Sequence, residues 1–147
     1  MSAAASPDWR TLAVGDELPA LTVDVTATVI VAGAIATRDF MPVHHDRDYA
    51  NAQGAPDIFM NIMSSNALCS RWLTDWAGPD ALLRHLSVRL GVPVHPGSTL
   101  TFSGTVTATA AATDGGRVDI DFRAATEGGE HLTGTATVDL PGRPSTA

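Results

Sequence analysis

The hydrophobic repeat changes period twice along this chain, and that change restricts the available folds more than any other feature. In DIFMNIMSSNALCSRWLTDWAGP (57–79), Ile58, Ile62, Cys69, Trp72 and Trp76 fall at offsets 0, 4, 11, 14 and 18, with Phe59, Met63 and Leu73 filling the same face. Such spacing predicts a helix of about five turns. Asp57 is the expected N-cap and Gly78–Pro79 the stop. Ser64, Ser65 and Asn66 make a small polar stripe, expected on the opposite face.

On both sides of this helix the period is two. LTVDVTATVIV (21–31) sets Leu21, Val23, Val25, Ala27, Val29 and Val31 against threonines and Asp24, the alternation of a half-buried strand. AGAIATRDF (32–40) leaves room for one or two helical turns. After residue 85, LSVRLGV, TLTFSGTVTATAA, VDIDFRA and HLTGTATVDL alternate again, separated by TDGGR and EGGE, which are hairpin turns in composition. The order is strand, small turn, polar loop, long helix, then three or four antiparallel strands. One helix against one antiparallel sheet is an α+β architecture. A single domain is expected over residues 14–140, with 1–13 and 141–147 as loosely held tails.

A chain of 147 residues can bury one full core. Nine basic against sixteen acidic residues give a net charge of −7, and no Lys/Arg cluster exists. Neither a nucleic-acid surface nor an anionic-membrane surface is therefore expected. The first residues show no basic n-region or apolar h-region, and no run reaches membrane-spanning length. Cys69, the single cysteine, has no internal partner. These features predict a soluble, cytoplasmic protein in a reducing compartment.

RDFMPVHHDRDYA (38–50) stands out against this mild background, packing Arg38, Asp39, His44, His45, Asp46, Arg47 and Asp48 around one proline. Residue types alone leave two readings open, a catalytic loop or a hydrogen-bonded surface connection. His44, His45 and Asp46 lack both the spacing and the additional Cys/His group of a metal site. Cys69 reads as core packing, and Trp72 and Trp76 as core or partner-helix packing. Arg71 and Arg89 read as surface charges, although either is long enough to meet a phosphate. His85, His95 and His131 carry no motif.

DFMPVHHDRDYA resembles the signature loop of the MaoC-like, (R)-specific enoyl-CoA hydratases. That pattern is an aspartate, two residues, a proline, an aliphatic residue, a histidine, and an alanine six positions on; here Asp39, Pro42, Val43, His44 and Ala50. VRLGVPVHPGSTLTFSGTV (88–106) is similar to the family's second landmark. The resemblance spans roughly residues 14–140 and implies a hot-dog fold, a long central helix wrapped by an antiparallel sheet. ATRDF, VHHDRD, DIFMN, TDWAGP and RLGVP together resemble the small, dyad-bearing subunit of actinobacterial hydratases for steroid side-chain CoA thioesters.

Hydration of an enoyl thioester needs a base for water, a proton for the α-carbon, and donors for the enolate-like oxygen. The resemblance assigns the first two tasks to Asp39 and His44. Backbone N–H groups near Met60 and Asn61, at the helix start, are the expected donors, with Gly54 the alternative, and Arg89 is expected near the CoA. No metal or cofactor is implied, coenzyme A being part of the substrate. A second MaoC-like subunit is implied, in a heterodimer or heterotetramer, with a homodimer when the chain is alone. There are two departures: Arg38 precedes Asp39 where many such loops carry glycine, and Asn61 stands where glycine is usual. Two other functions compete. A hot-dog thioesterase commonly carries a carboxylate on its helix, yet residues 58–74 contain no Asp or Glu. A non-catalytic CoA-binding subunit would have no reason to keep both Asp39 and His44.

Overall fold

A computed structural model describes residues 6–142. The alternating segments near the C-terminus form three long strands, β3 (Ser98–Ala112), β4 (Gly115–Thr126) and β5 (Gly129–Pro141). Two-residue turns join them, Thr113–Asp114 and Glu127–Gly128, at the two predicted hairpins. Leu100, Phe102 and Val106, then Val118, Ile120, Phe122 and Ala124, then Leu132, Ala136, Val138 and Leu140 are all buried. Threonines and charged residues take the other face, as period-two alternation requires. β1 (Leu21–Val25) pairs with β3 and β2 (Leu82–Leu90) pairs with β5, giving one antiparallel sheet in the order β1-β3-β4-β5-β2.

Three helices precede β2: α1 (Ala27–Ala36), α2 (Arg47–Ala52) and α3 (Ile62–Ala77). α3 lies on the apolar face of the sheet. Trp72 packs on Phe102 and Phe122, with ring centroids 6.1 and 5.8 Å away, and donates its indole N–H to Pro19 O at 2.7 Å. Phe122 sits in register between Gly104 and Gly134. A Cβ on Gly104 would come within 2.8 Å of Trp72, and one on Gly134 would run into the Phe122 ring. The glycines make room for the aromatics that hold helix to sheet.

Several local expectations are corrected. The first strand stops at Val25, not Val31, because Thr26 caps α1 by accepting from Val29 N at 3.1 Å. Burial of Ile30 and Ala34 outweighs the strand preference of the valines. Asp57 does not cap the long helix. Its carboxylate receives Arg47 and its own neighbour Ile58 N, while Met60 N donates to Val94 O. Residues 57–60 are thus held outside the helix by other segments, and Asn61 becomes the N-cap.

The apolar face is also rotated from the predicted one. Ile62 is 50% exposed and Trp76 half-buried, whereas Ser64 and Ser65 face inward. Ser65 is accommodated because its hydroxyl bonds His131 Nε2 at 2.8 Å, whereas Ser64 packs on Gly33 of α1 with its buried hydroxyl unpaired among the described residues. Within the expected N-terminal tail, residues 9–11 form a 3-10 turn with Trp9 against Gly116 of β4, so residues 6–13 are not loose. The expected C-terminal tail likewise begins later than residue 141, since Pro141 closes β5 and Gly142 N donates to Asp114 O; residues 1–5 and 143–147 lie outside the described residues.

Candidate active site

Asp39 owes its place to the way α1 ends. Arg38 N donates to Ile35 O and Asp39 N to Ala34 O, the paired bonds of a Schellman termination. Such a stop needs a left-handed residue, and Arg38 supplies it at φ 57°. A β-carbon in that region costs roughly 1 kcal/mol. The backbone therefore follows the path a glycine would take, and the departure at Arg38 does not deflect the loop.

Met41 and Pro42 then open a 3-10 turn over Pro42–His44, the proline sitting at the first position, where its missing N–H is no loss. This turn swings His44 back toward Asp39. His44 Nε2 lies 3.3 Å from Asp39 Oδ2, with the two side chains 9% and 25% exposed. His44 Nδ1 meets Phe59 O at 2.7 Å. A carbonyl only accepts, so Nδ1 carries the proton and Nε2 is the nitrogen turned to Asp39. Phe59 also sets its ring edge against the imidazole, 5.1 Å between centroids. The displaced start of α3 is what makes Phe59 O available.

Asp39 Oδ2 accepts from Asn61 Nδ2 at 3.0 Å and Oδ1 from Met41 N at 3.3 Å. The Asn61 amide, with lesser help from Met41 N–H and the His44 imidazole, holds the Asp39 carboxyl below the usual carboxylate range against partial desolvation. The carboxylate is charged at neutral pH. The pair thus joins a fixed anion to an imidazole nitrogen, a combination suited to binding water and moving its proton.

The remaining loop residues have structural partners. His45 Nε2 bonds Phe40 O at 3.3 Å, Asp46 caps α2 through Tyr49 N, and Arg47 pairs with Asp57 at 2.9 Å. Cys69 is fully buried and its thiol is pushed up to about 12 by desolvation, so it is core.

Not every expected site residue joins the pair. Met60 N–H is already committed to Val94 O, and Gly54 N–H to Asn51 O at the end of α2, so neither is a free donor. Asn61 N–H is not so committed among the described residues, and the next two amides, of Ile62 and Met63, begin the helix, where no intrahelical acceptor exists. Arg89 points from β2 to the outer face of the sheet, away from α3. There it lines an open groove of about 1120 Å³ with Arg123, Asp121 and Ser103. Residue reasoning missed Thr37 and His131. Thr37 receives the second Asn61 amide hydrogen, and buried His131 bridges Ser65 and Val92 O. Neither carries a motif, and only packing reveals them.

The MaoC like domain family matches residues 11–127. The chain belongs to the MaoC-like family. A curated relative, the 3-oxo-4,17-pregnadiene-20-carboxyl-CoA hydratase beta subunit of Mycobacterium tuberculosis, is 47% identical over 132 residues, 90% of this MaoC-like chain and 98% of the relative. A chain of the ChsH1–ChsH2 complex of Mycobacterium tuberculosis superposes with a TM-score of 0.82 at 44% identity, covering 87% of this chain and 98% of that one. The (R)-hydratase of A. caviae involved in PHA biosynthesis gives 0.79 at 27% identity, covering 90% and 99%. The hot-dog fold expected from the sequence is the fold of these MaoC-like structures.

Proposed function

We propose that this chain is the dyad-bearing subunit of an enoyl-CoA hydratase that adds water across the α,β-double bond of a bulky acyl-CoA, a steroid side-chain thioester. The observation that carries the reading is the 3.3 Å approach of His44 Nε2 to an anionic Asp39 beside the start of α3. The 47% identity to a hydratase subunit named for a steroid carboxyl-CoA supports the substrate class.

In this reading a water sits beside the pair, hydrogen-bonded to both Asp39 and His44 Nε2. Its oxygen bonds to the β-carbon as the π bond breaks, one proton passes to the dyad, and the dyad returns a proton to the α-carbon. Both groups stand on one side of the substrate, so addition is syn. Negative charge building on the thioester oxygen is met by helix-start amides, with Asn61, Ile62 and Met63 as the available donors, aided by the helix dipole.

The working form pairs this chain with a second MaoC-like subunit. Ile35, Phe40, Met41, Ile62 and Met63 are each at least half exposed and flank Asp39 and Asn61 along the chain. An apolar rim of that kind around a polar pair suits a partner and a large hydrocarbon substrate. The test is mass-spectrometric detection of water addition to a panel of enoyl-CoA esters, with and without a genomically adjacent MaoC-like chain. Addition to steroid side-chain esters is expected. Thioester hydrolysis without water addition would overturn the reading.

A further inference from the structure

We infer that the Asn61 side chain is a positioning residue of the dyad, clamping the Asp39 carboxylate in one orientation while it caps α3. The inference rests on the hydratase reading for its catalytic meaning, and its geometry stands independently.

Asn61 is 2% exposed, and every polar atom of its amide has a partner. Oδ1 receives Ser64 N–H at 3.0 Å, and since a backbone N–H only donates, this atom is the oxygen. Nδ2 then faces Thr37 Oγ1 at 2.9 Å and Asp39 Oδ2 at 3.0 Å. Thr37 gives its own hydroxyl proton to Gly33 O at 2.8 Å, which leaves Oγ1 free to accept. Two amide hydrogens meet two acceptors and the carbonyl meets one donor. A planar amide satisfied on both sides has no second rotamer of equal energy.

Helix capping alone does not require asparagine. Serine, threonine and aspartate cap comparably, but none of them offers N–H donors behind the capping oxygen. Asparagine is the capping residue that can hold a helix start with one atom and a carboxylate with the next. By doing so it ties the end of α1, which presents Asp39, to the first turn of α3. The carboxylate and the helix-start amides become parts of one rigid unit, and the oxygen that Asn61 holds, Oδ2, is the one 3.3 Å from His44 Nε2. Glycine at this position supplies no such clamp, so the chain's departure at Asn61 replaces backbone freedom with a side-chain function.

The experiment uses Asn61→Ser and Asn61→Asp, both of which keep a capping oxygen, in the full chain. Carbon-13 NMR titration follows the Asp39 carboxyl, assigned by difference from Asp39→Asn, and hydration kinetics are measured with the partner present. Retained cooperative unfolding verifies the fold. The Asp39 midpoint should move to higher pH in both variants, furthest in Asn61→Asp, where a second carboxylate adjoins it. kcat should fall about tenfold or more with KM little changed, since a charge-assisted hydrogen bond is removed from a reacting group. A capping role alone predicts that Asn61→Ser titrates and turns over like the native chain, and that result would overturn the inference. If the native protein hydrates no enoyl-CoA, the hydratase reading fails, while the titration still decides whether Asn61 governs Asp39.

Discussion

Adjacent histidines at 44 and 45 differ in what their backbone turn lets them reach. His44 is turned inward and fixed through Nδ1 to Phe59 O, whereas His45 spans its own loop to Phe40 O. Replacing Asp39 by Asn or His44 by Ala should each lower hydration by about 10²-fold or more with the fold retained, because the proposed mechanism routes a proton through each. His45→Ala should cost far less, as only a loop bond is lost. Equal damage at 44 and 45 in the hydration assay would show that the dyad is misplaced by one position. Arg38→Gly tests the residue that ends α1. Glycine relieves the left-handed strain at the expense of a more flexible unfolded chain, so thermal melts should show stability unchanged or raised by up to about 1 kcal/mol.

Sheet and helix meet through a few matched shapes. Gly134→Ala places a methyl against Phe122 and should destabilise by about 1–3 kcal/mol in denaturant melts, the usual cost of overpacking. On the outer face, Arg117 and Arg84 both bind Asp139 at 2.7 Å, tying β4 and β2 to β5. The Arg117 hydrogen bond, followed by that of Arg84, holds the Asp139 carboxyl at about 2, below its ordinary 3.8. A depressed carboxyl stabilises the fold fully above 3.8 and loses that contribution as pH falls through about 2. Asp139→Asn should therefore cost about 1 kcal/mol near neutral pH, limited by the exposure of both arginines. The gap from the native protein should close between pH 3.8 and 2. A gap constant across that window in pH-dependent melts would contradict the clamp.

For the whole molecule the question is assembly. Of the two tryptophans expected in core or partner-helix packing, Trp72 is core at 3% exposed and Trp76 is half-buried against it, and the helix stripe of Ser64 and Ser65 faces inward. Apolar surface instead collects at the dyad's rim, in Phe40, Met41, Ile62 and Met63. Light scattering should find dimers for the chain alone and a heteromer on co-expression with a second MaoC-like chain, with steroid enoyl-CoA hydration depending on that chain. Full activity from the isolated chain would refute the partner requirement, and a monomer at micromolar concentration would refute a shared groove.

The sequence by itself determined the elements whose pattern is long and local. The alternation of β3 to β5, the two hairpins and the body of α3 depend on repeats that each segment carries within itself. The spacing of Asp39, Pro42 and His44 was legible for the same reason, since one 3-10 turn brings the pair together. Tertiary structure decided where elements begin and which side chains support the site. α1 took Ala27–Val31 from the expected strand because Ile30 and Ala34 found a buried surface on α3. Residues 57–60 stayed outside the helix because Val94, His44 and Arg47, in other segments, claimed their polar groups. Asn61 acquired its two acceptors only when α1 and α3 met. Contacts between segments far apart in the chain leave no period to read, so they appear only once the chain is folded.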